Sequence, residues 1–203
     1  MSCVPSITRR RTWAILAGIL FTGMLLRCWG LLWGLPERDD LHPDEHDYVI
    51  KYAQTVSFAK PDPGFINYPS FLCYSTAALS GVLRRTGVIR EDWQVFPVGR
   101  AIVAAYGTLT ILAAWALARR LKASTPGALL AALWVAILPL HVWESHIAVT
   151  DVMMTFWIVM TLHHSLGLLE AMTWSRCAYV GVCLGLAVGS KYTAAMVAVA
   201  PLL

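Results

Sequence analysis

The sequence predicts an all-α integral membrane protein, a bundle of several membrane-spanning helices with a long first loop on the extracytoplasmic side. Of the 203 residues, 58% are hydrophobic and 14% are charged, whereas a soluble domain carries about 25% charged residues. Long apolar runs recur along the chain, and arginines cluster beside them, which is the pattern that sets membrane orientation. The net charge of +4 is small and scattered, so a nucleic-acid partner is not indicated.

The first predicted span is 13–35. At a rise of about 1.5 Å per residue it covers a hydrocarbon core of about 30 Å, and it is too long for the apolar core of a signal peptide. The basic segment at 9–11 precedes it, so we expect a cytoplasmic N-terminus. Arg27 interrupts the span. It is either an arginine that snorkels to the interface or a counter-charge for the acidic turn that follows.

The long first loop begins with that acidic turn, which has the sequence Leu-His-Pro-Asp-Glu-His-Asp-Tyr at 41–48. Pro43 suits the first position of a helix, and Asp44 and Glu45 suit the positive end of a helix dipole. We therefore expect a short amphipathic helix over 43–57, on the membrane surface. The segment 69–83 is apolar but short for a span, so we expect it to be re-entrant or interfacial and to carry the loop back to the outer face.

Four further spans are predicted at 101–118, 126–142, 152–169 and 179–203. If the segment 69–83 does not cross the bilayer, the basic cluster that ends the second span is cytoplasmic, as the positive-inside rule prefers. Asp44 and Asp151 then emerge on the same outer face. The chain ends within an apolar run, so we expect it to be the N-terminal, transmembrane catalytic portion of a longer protein.

Four motifs follow one another in the order of a known family: His-Pro-Asp-Glu at 42–45, Phe-Ile-Asn-Tyr-Pro-Ser at 65–70, His-Ile-Ala-Val-Thr-Asp at 146–151 and Gly-Leu-Ala-Val-Gly-Ser-Lys-Tyr-Thr at 185–193. The chain resembles the N-terminal part of the lipid-carrier-dependent glycosyltransferases of the GT-C superfamily, especially the protein O-mannosyltransferases and the aminoarabinose transferases. The resemblance implies a polyprenyl-phosphate sugar donor. It also implies an acceptor protein, lipid or glycan, and transfer on the extracytoplasmic face with inversion.

The resemblance also implies roles for individual carboxylates. An attacking hydroxyl must lose a proton to a base, and the resemblance assigns that base to Asp44, with Glu45 orienting the acceptor or Asp44. Asp151 is the second carboxylate. In the alternative interpretation, Asp44 and Glu45 are only charges at the start of a helix. Asp151 could likewise be the N-cap of the fourth span, and this position is compatible with a catalytic role.

A departing lipid phosphate needs cations or backbone donors. Lys191 lies in an apolar segment, where charges are costly and usually functional, so it is a candidate for the phosphate or for a structural ion pair. Tyr68, His146 and Arg27 complete the candidate substrate-binding residues. Many relatives have His-Pro-Pro or Lys-Pro where this chain has Tyr68-Pro69-Ser70, so no phosphate-binding lysine is expected at that point.

No cofactor is predicted. His146 and Glu144 could ligate a divalent metal, but their spacing does not support a metal site. The alternative function is an ion- or proton-coupled transporter that uses Asp44, Asp151 and Lys191; inverted repeats and charges near the bilayer midplane would be typical of one. A scaffold without chemistry is a third alternative, and it leaves the acidic turn unexplained.

Overall fold

The computed structural model describes residues 9–57, 59–65 and 67–202. Regular structure in these residues is helical throughout, with no strand, which confirms the predicted all-α class. The elements are α1 Arg9–Cys28, a π-helical segment Asp44–Ile50, α2 Lys51–Thr55, α3 Phe71–Arg85, a 3-10 turn Asp92–Gln94, α4 Val95–Arg120, α5 Thr125–Ile137, α6 Pro139–Glu144, α7 Thr150–Leu168, α8 Trp174–Ser190 and a 3-10 segment Tyr192–Leu202.

Helix α4 is the centre of the bundle, because α1, α3, α5 and α7 all pack against it. One core cluster joins α4 to α3, to α7 and to the π-helical segment Asp44–Ile50, called the acidic helix below. It includes Val103 and Met153, both fully buried. A second joins α1, α4 and α5 through Leu16, Ile111 and Ala132. The first cluster lies under the long loop, so α4 supports the end of the bundle at which the predicted site lies.

Within the described residues, two helical stretches are long and apolar enough to cross a membrane: Arg9–Cys28 and Asp92–Arg120. The first ends at Cys28, and residues 29–37 form turns, so the predicted end at residue 35 is wrong. Gly30 and Gly34 have φ angles of 86° and 82°. Glycine adopts this left-handed conformation without a Cβ clash, and it commonly ends helices.

The other predicted spans coincide with shorter or broken helices. Span 126–142 is divided into α5 and α6, because Pro139 has no N–H and Leu138 before it is extended, with ψ 115°. Span 152–169 is α7, and span 179–203 is α8 followed by the 3-10 segment. That these helices cross the bilayer stays a prediction, as does the re-entrant or interfacial position of α3. The expected helix at 43–57 is present as Asp44–Ile50 and Lys51–Thr55.

Ionic contacts lie at both ends of the bundle. At one end, Asp151 at the start of α7 contacts Lys191 directly after α8. At the other end, Arg120 in the last turn of α4 contacts Glu170, which follows α7, and Arg176 at the start of α8 contacts the same carboxylate. The acidic helix packs on the first of these ends, which therefore contains the candidate site.

Candidate functional site

Four of the predicted site residues come together from four separate segments. The Tyr68 hydroxyl donates a hydrogen bond to Asp44 Oδ2 at 3.4 Å. Lys191 Nζ lies 2.7 and 2.9 Å from the two carboxylate oxygens of Asp151, and 5.7 Å from the centre of the Tyr68 ring. Tyr68 therefore connects the predicted base with an ion pair that is partly exposed, with side chains 25% and 42% accessible for Lys191 and Asp151.

Local backbone structure explains how the ion pair forms. Asp151 lies in the first turn of α7, where the helix dipole stabilises a carboxylate. The N-cap of α7 is Val149, so the interpretation of Asp151 as the N-cap is wrong. Lys191 is the C-cap of α8 and is extended, with φ −154° and ψ 131°. This conformation ends the helix and places the ammonium beside Asp151. Of the two alternatives for Lys191, the ion pair is therefore observed.

An aromatic cluster holds Tyr68 beside Asp44. Phe65 stacks between Tyr48 and Tyr52, with ring centres 5.1 and 4.7 Å apart, and Tyr48 also packs on Tyr68 at 5.6 Å. These contacts fasten the end of the loop onto the acidic helix. Burial, followed by the nearby negative charge of Asp44, raises the pKa of Tyr68. The phenol therefore stays protonated and donates to the carboxylate.

Glu45 has a different environment from its neighbour. Its side chain is 1% exposed and forms a bidentate ion pair with Arg100, whose Nε and Nη2 each lie 2.7 Å from a carboxylate oxygen. Glu45 Oε1 also accepts a hydrogen bond from the Ala148 N–H at 2.8 Å. The predicted role of Glu45 in orienting Asp44 or the acceptor is not what the structure shows, because both oxygens are occupied inside the protein.

Arg100 is a site residue that no sequence motif singles out. Besides Glu45, it donates from Nη1 to the carbonyls of Leu31 and Trp33, both at 2.9 Å. It thereby joins α4, the acidic helix and the turn after α1. The available signal was an arginine directly before a long apolar run at 101–118. Without the structure, that arginine is indistinguishable from a charge that flanks a membrane span.

Arg27 is not a counter-charge for the acidic turn, and it does not snorkel. It is fully buried and donates to the carbonyls of Gly23, Val135 and Ala136 at 2.8–3.0 Å, and to His141 Nδ1 at 3.0 Å. The carbonyls of residues 135 and 136 are those that lose their helical partners where Pro139 interrupts the helix. Arg27 replaces those hydrogen bonds, and the substrate-binding role predicted for it is therefore wrong.

Glu144 is close enough to Asp44, Asp151 and Lys191 to interact with their charges, and His146 follows it two residues later in the chain. His146 Nδ1 lies 2.8 Å from the Val142 carbonyl oxygen. Because a carbonyl oxygen only accepts, Nδ1 carries the proton, and Nε2 of the neutral ring is left as a hydrogen-bond acceptor. Burial, together with the charges of Asp151 and Asp44, raises the pKa of Glu144. Within the described part of the chain, no group of three or more His, Cys, Asp or Glu side chains is arranged to hold a metal ion.

Comparison with known proteins identifies the family. The sequence model described as "Dolichyl-phosphate-mannose-protein mannosyltransferase" matches residues 92–203, which is more than half of the chain. No curated protein matches the chain. The matched region begins at the 3-10 turn before α4 and contains Arg100, Asp151 and Lys191. The family comprises membrane-bound glycosyltransferases that use polyprenyl-phosphate sugars. The chain therefore belongs to the dolichyl-phosphate-mannose-protein mannosyltransferase family, within the GT-C superfamily.

Proposed function

We propose that this protein transfers a sugar from a polyprenyl-phosphate donor to an acceptor hydroxyl at the extracytoplasmic face of the cytoplasmic membrane, with inversion at the anomeric carbon. The observation that carries this proposal is the group formed by Asp44, Tyr68, Lys191 and Asp151. It combines a carboxylate base with a cation at one end of a helical bundle. A reaction between a hydroxyl group and a lipid phosphate ester requires both.

Asp44 is the proposed general base. The acceptor oxygen attacks the anomeric carbon, and its proton passes to the Asp44 carboxylate as the new glycosidic bond forms. Tyr68 occupies one lone pair of Oδ2, and a carboxylate offers about four acceptor positions. The remaining positions can receive the acceptor hydroxyl. The phenol also orients the carboxylate, and proton transfer to a positioned base contributes typically ~10²–10⁴-fold in rate.

Lys191 is the proposed partner of the departing lipid phosphate. An ammonium group has three N–H donors, and two of them face the oxygens of Asp151. The third can donate to a phosphate oxygen as the bond to the anomeric carbon breaks. Asp151 is then a positioning residue for Lys191. Attack on the face opposite the departing phosphate gives inversion. It requires the base and the cation to lie on opposite sides of the anomeric carbon.

The donor and acceptor follow from the family at a coarse level. We propose a polyprenyl-phosphate sugar within the membrane as donor and a protein, lipid or glycan hydroxyl as acceptor. Polyprenyl-phosphate mannose is the first donor to assay, because the description of the family contains that sugar. The family match gives no support to the transporter alternative.

The ion pair provides the test of this function. We expect Lys191→Met to raise the apparent Kd for the polyprenyl-phosphate donor more than it slows transfer from bound donor, because the cation contacts the phosphate in both the bound and reacting states. Donor titration and single-turnover transfer in reconstituted membranes separate the two effects. Lys60→Met, at an exposed loop position, is the matched control. An unchanged donor affinity would restrict Lys191 to a structural role.

A further inference from the structure

A cavity lies beside the acidic turn, which contributes Leu41, His42 and Glu45 to its lining. It has a volume of about 360 Å³, and the ion pair of Glu45 and Arg100 forms part of its wall. Three tryptophans and two histidines also line it: Trp29, Trp33, Trp143, His42 and His146. Sites for small ligands have volumes of about 300–1,000 Å³. His42 is two residues from Asp44, so a ligand here would be next to the proposed base.

The lining of this cavity is aromatic and uncharged overall. The three indoles are 85%, 62% and 57% exposed for Trp29, Trp33 and Trp143. His42 Nδ1 is a buried nitrogen without a hydrogen-bond partner. His146 Nδ1 donates to a backbone carbonyl, which leaves Nε2 to accept a hydrogen bond. The lining therefore offers apolar ring faces together with imidazole nitrogens.

The buried ion pair excludes an anion as the preferred ligand. Arg100 is the cation of the cavity wall, and four of its donor contacts are made inside the protein, two to Glu45 and two to the carbonyls of Leu31 and Trp33. Its charge is neutralised by Glu45. Arg100 is therefore almost inaccessible to a lipid phosphate, with 3% of its side chain exposed, whereas 25% of the Lys191 side chain is exposed.

The polar groups also argue against a polyprenyl chain. A hydrocarbon in this cavity would cover the imidazoles without hydrogen-bonding them, and burying unpaired polar groups costs free energy. A sugar ring satisfies both requirements, because its C–H face packs on an indole and its hydroxyls exchange hydrogen bonds with imidazole nitrogens. The carbonyl of Trp33 is held by Arg100, so the ion pair also fixes the segment that carries this indole.

We propose that this cavity is a binding subsite for an uncharged sugar ring, with Trp33 and Trp143 as the packing surfaces and His42 and His146 as the hydrogen-bonding groups. The source of the ring rests on the proposed function: it is either the sugar of the polyprenyl-phosphate donor or a sugar of a glycan acceptor. The binding of the ring itself does not depend on Asp44 acting as a base.

The test measures sugar binding without catalysis. The protein is placed in lipid nanodiscs free of sugar detergents, and binding of methyl α-mannoside and methyl β-glucoside is followed by saturation-transfer NMR. We expect saturable binding of at least one glycoside. Trp33→Leu and Trp143→Leu should each weaken it roughly fivefold to tenfold. Trp174→Leu is the matched control, because this indole is 93% exposed and lies outside the cavity.

Competition identifies the source of the sugar. Displacement of the glycoside by polyprenyl-phosphate sugar, but not by sugar-free polyprenyl phosphate, assigns the cavity to the donor sugar. Displacement by neither assigns it to the acceptor. Three results would overturn the proposal: binding of neither glycoside, equal binding by the wild type and both tryptophan variants, or displacement by sugar-free polyprenyl phosphate or by dodecyl phosphate. Sugar binding retained in Asp44→Asn shows that the subsite stands even if the proposed catalytic role fails.

Discussion

At the scale of single residues, Asp44 and Glu45 are adjacent carboxylates in different environments. Asp44 is partly exposed and contacts Tyr68, whereas Glu45 is buried against Arg100. The sequence singles out both carboxylates but does not show which of them is buried, because consecutive helical residues point in different directions. Only the position of Arg100, 55 residues later in the chain, makes Glu45 the buried one.

Removing the charge of Glu45 should damage the fold. Glu45→Gln leaves the Arg100 guanidinium buried without its partner, and breaking a buried pair in this way costs about 3–5 kcal/mol. We expect a lower apparent Tm in lipid nanodiscs, and partial recovery in Glu45→Gln/Arg100→Gln, which buries no unpaired charge. Asp47→Asn is the control, because its side chain in the same segment is 53% exposed. A Glu45→Gln protein as stable as the wild type would contradict this assignment.

Glu144 makes the stability depend on pH in a defined direction. Its pKa is raised by burial and by the charges of Asp151 and Asp44, so ionising it in the folded protein is unfavourable. The associated stability is fully present below the ordinary pKa of 4.5 and is lost as the pH rises through the folded value. We therefore expect Glu144→Gln to raise the Tm at pH 8, with the gain shrinking toward pH 4.5.

The control for Glu144 is Glu37→Gln, at an exposed position. Parallel thermal unfolding at both pH values separates a local effect from a general effect of net charge. An equal gain at pH 8 and pH 4.5, or a loss at pH 8, would show that the ionised form of Glu144 carries no penalty in the fold.

At the scale of elements, the break between α5 and α6 depends on Arg27. A sequence shows that Pro139 interrupts a helix, but it does not show which side chain satisfies the backbone carbonyls that are left. Those carbonyls belong to an element more than a hundred residues from Arg27. Gly107 permits the arrangement, since a Cβ there would lie 2.8 Å from Arg27 Nε.

A pair of substitutions tests this account of the break. Arg27→Met should lower the free energy of unfolding by about 2–4 kcal/mol, because each unpaired buried carbonyl costs about 1–3 kcal/mol. Adding Pro139→Ala should recover part of that loss, since an N–H at position 139 can pair with the Val135 carbonyl. Arg38→Met, at an exposed position, is the control. No recovery in the double variant would show that Arg27 does not stabilise the protein by pairing with the carbonyls that Pro139 leaves unpaired.

The sequence predicts the polar residues of the site better than it predicts where the helices end. The motifs singled out Asp44, Tyr68, Asp151 and Lys191, which the structure brings together, because polar residues in an apolar chain are conspicuous. The glycines at 30 and 34 signalled the end of α1, yet hydropathy alone extended the span to residue 35. Apolar character continues past the end of a helix, whereas the backbone conformation that ends it does not appear in a hydropathy pattern.

At the scale of the whole molecule, the ion pairs separate two ends of the bundle. Asp44, Glu45 and Asp151 lie toward one end, and Arg120, Glu170 and Arg176 toward the other. The basic residues Arg119, Arg120 and Lys122 at the end of α4 lie at the second end, which the positive-inside rule predicts to be cytoplasmic. We therefore predict that the first end is extracytoplasmic, as the proposed transfer from a lipid-linked donor on that face requires.

Single cysteines test this orientation in a background without native cysteines. We expect a cysteine at Lys60 to react with a membrane-impermeant maleimide in intact cells, and one at Met172 to react only after permeabilisation. Both positions are exposed in the structure, so protection reports the membrane and not burial. A cysteine at exposed Lys122 should behave like the one at Met172. The orientation would be contradicted if all three cysteines reacted in intact cells. It would also be contradicted if those at Met172 and Lys122 reacted there and the one at Lys60 did not.

The most direct test of the proposed chemistry is the single-turnover rate of sugar transfer from prebound donor in the Asp44→Asn enzyme. The amide keeps the shape of the side chain and can still accept the Tyr68 hydrogen bond, but it cannot take the acceptor proton. General-base loss predicts transfer at least about a hundredfold slower, with donor affinity unchanged and Asp47→Asn near the wild-type rate. Near-normal transfer by Asp44→Asn, with transfer abolished in Asp151→Asn, would contradict the account and make Asp151 the base.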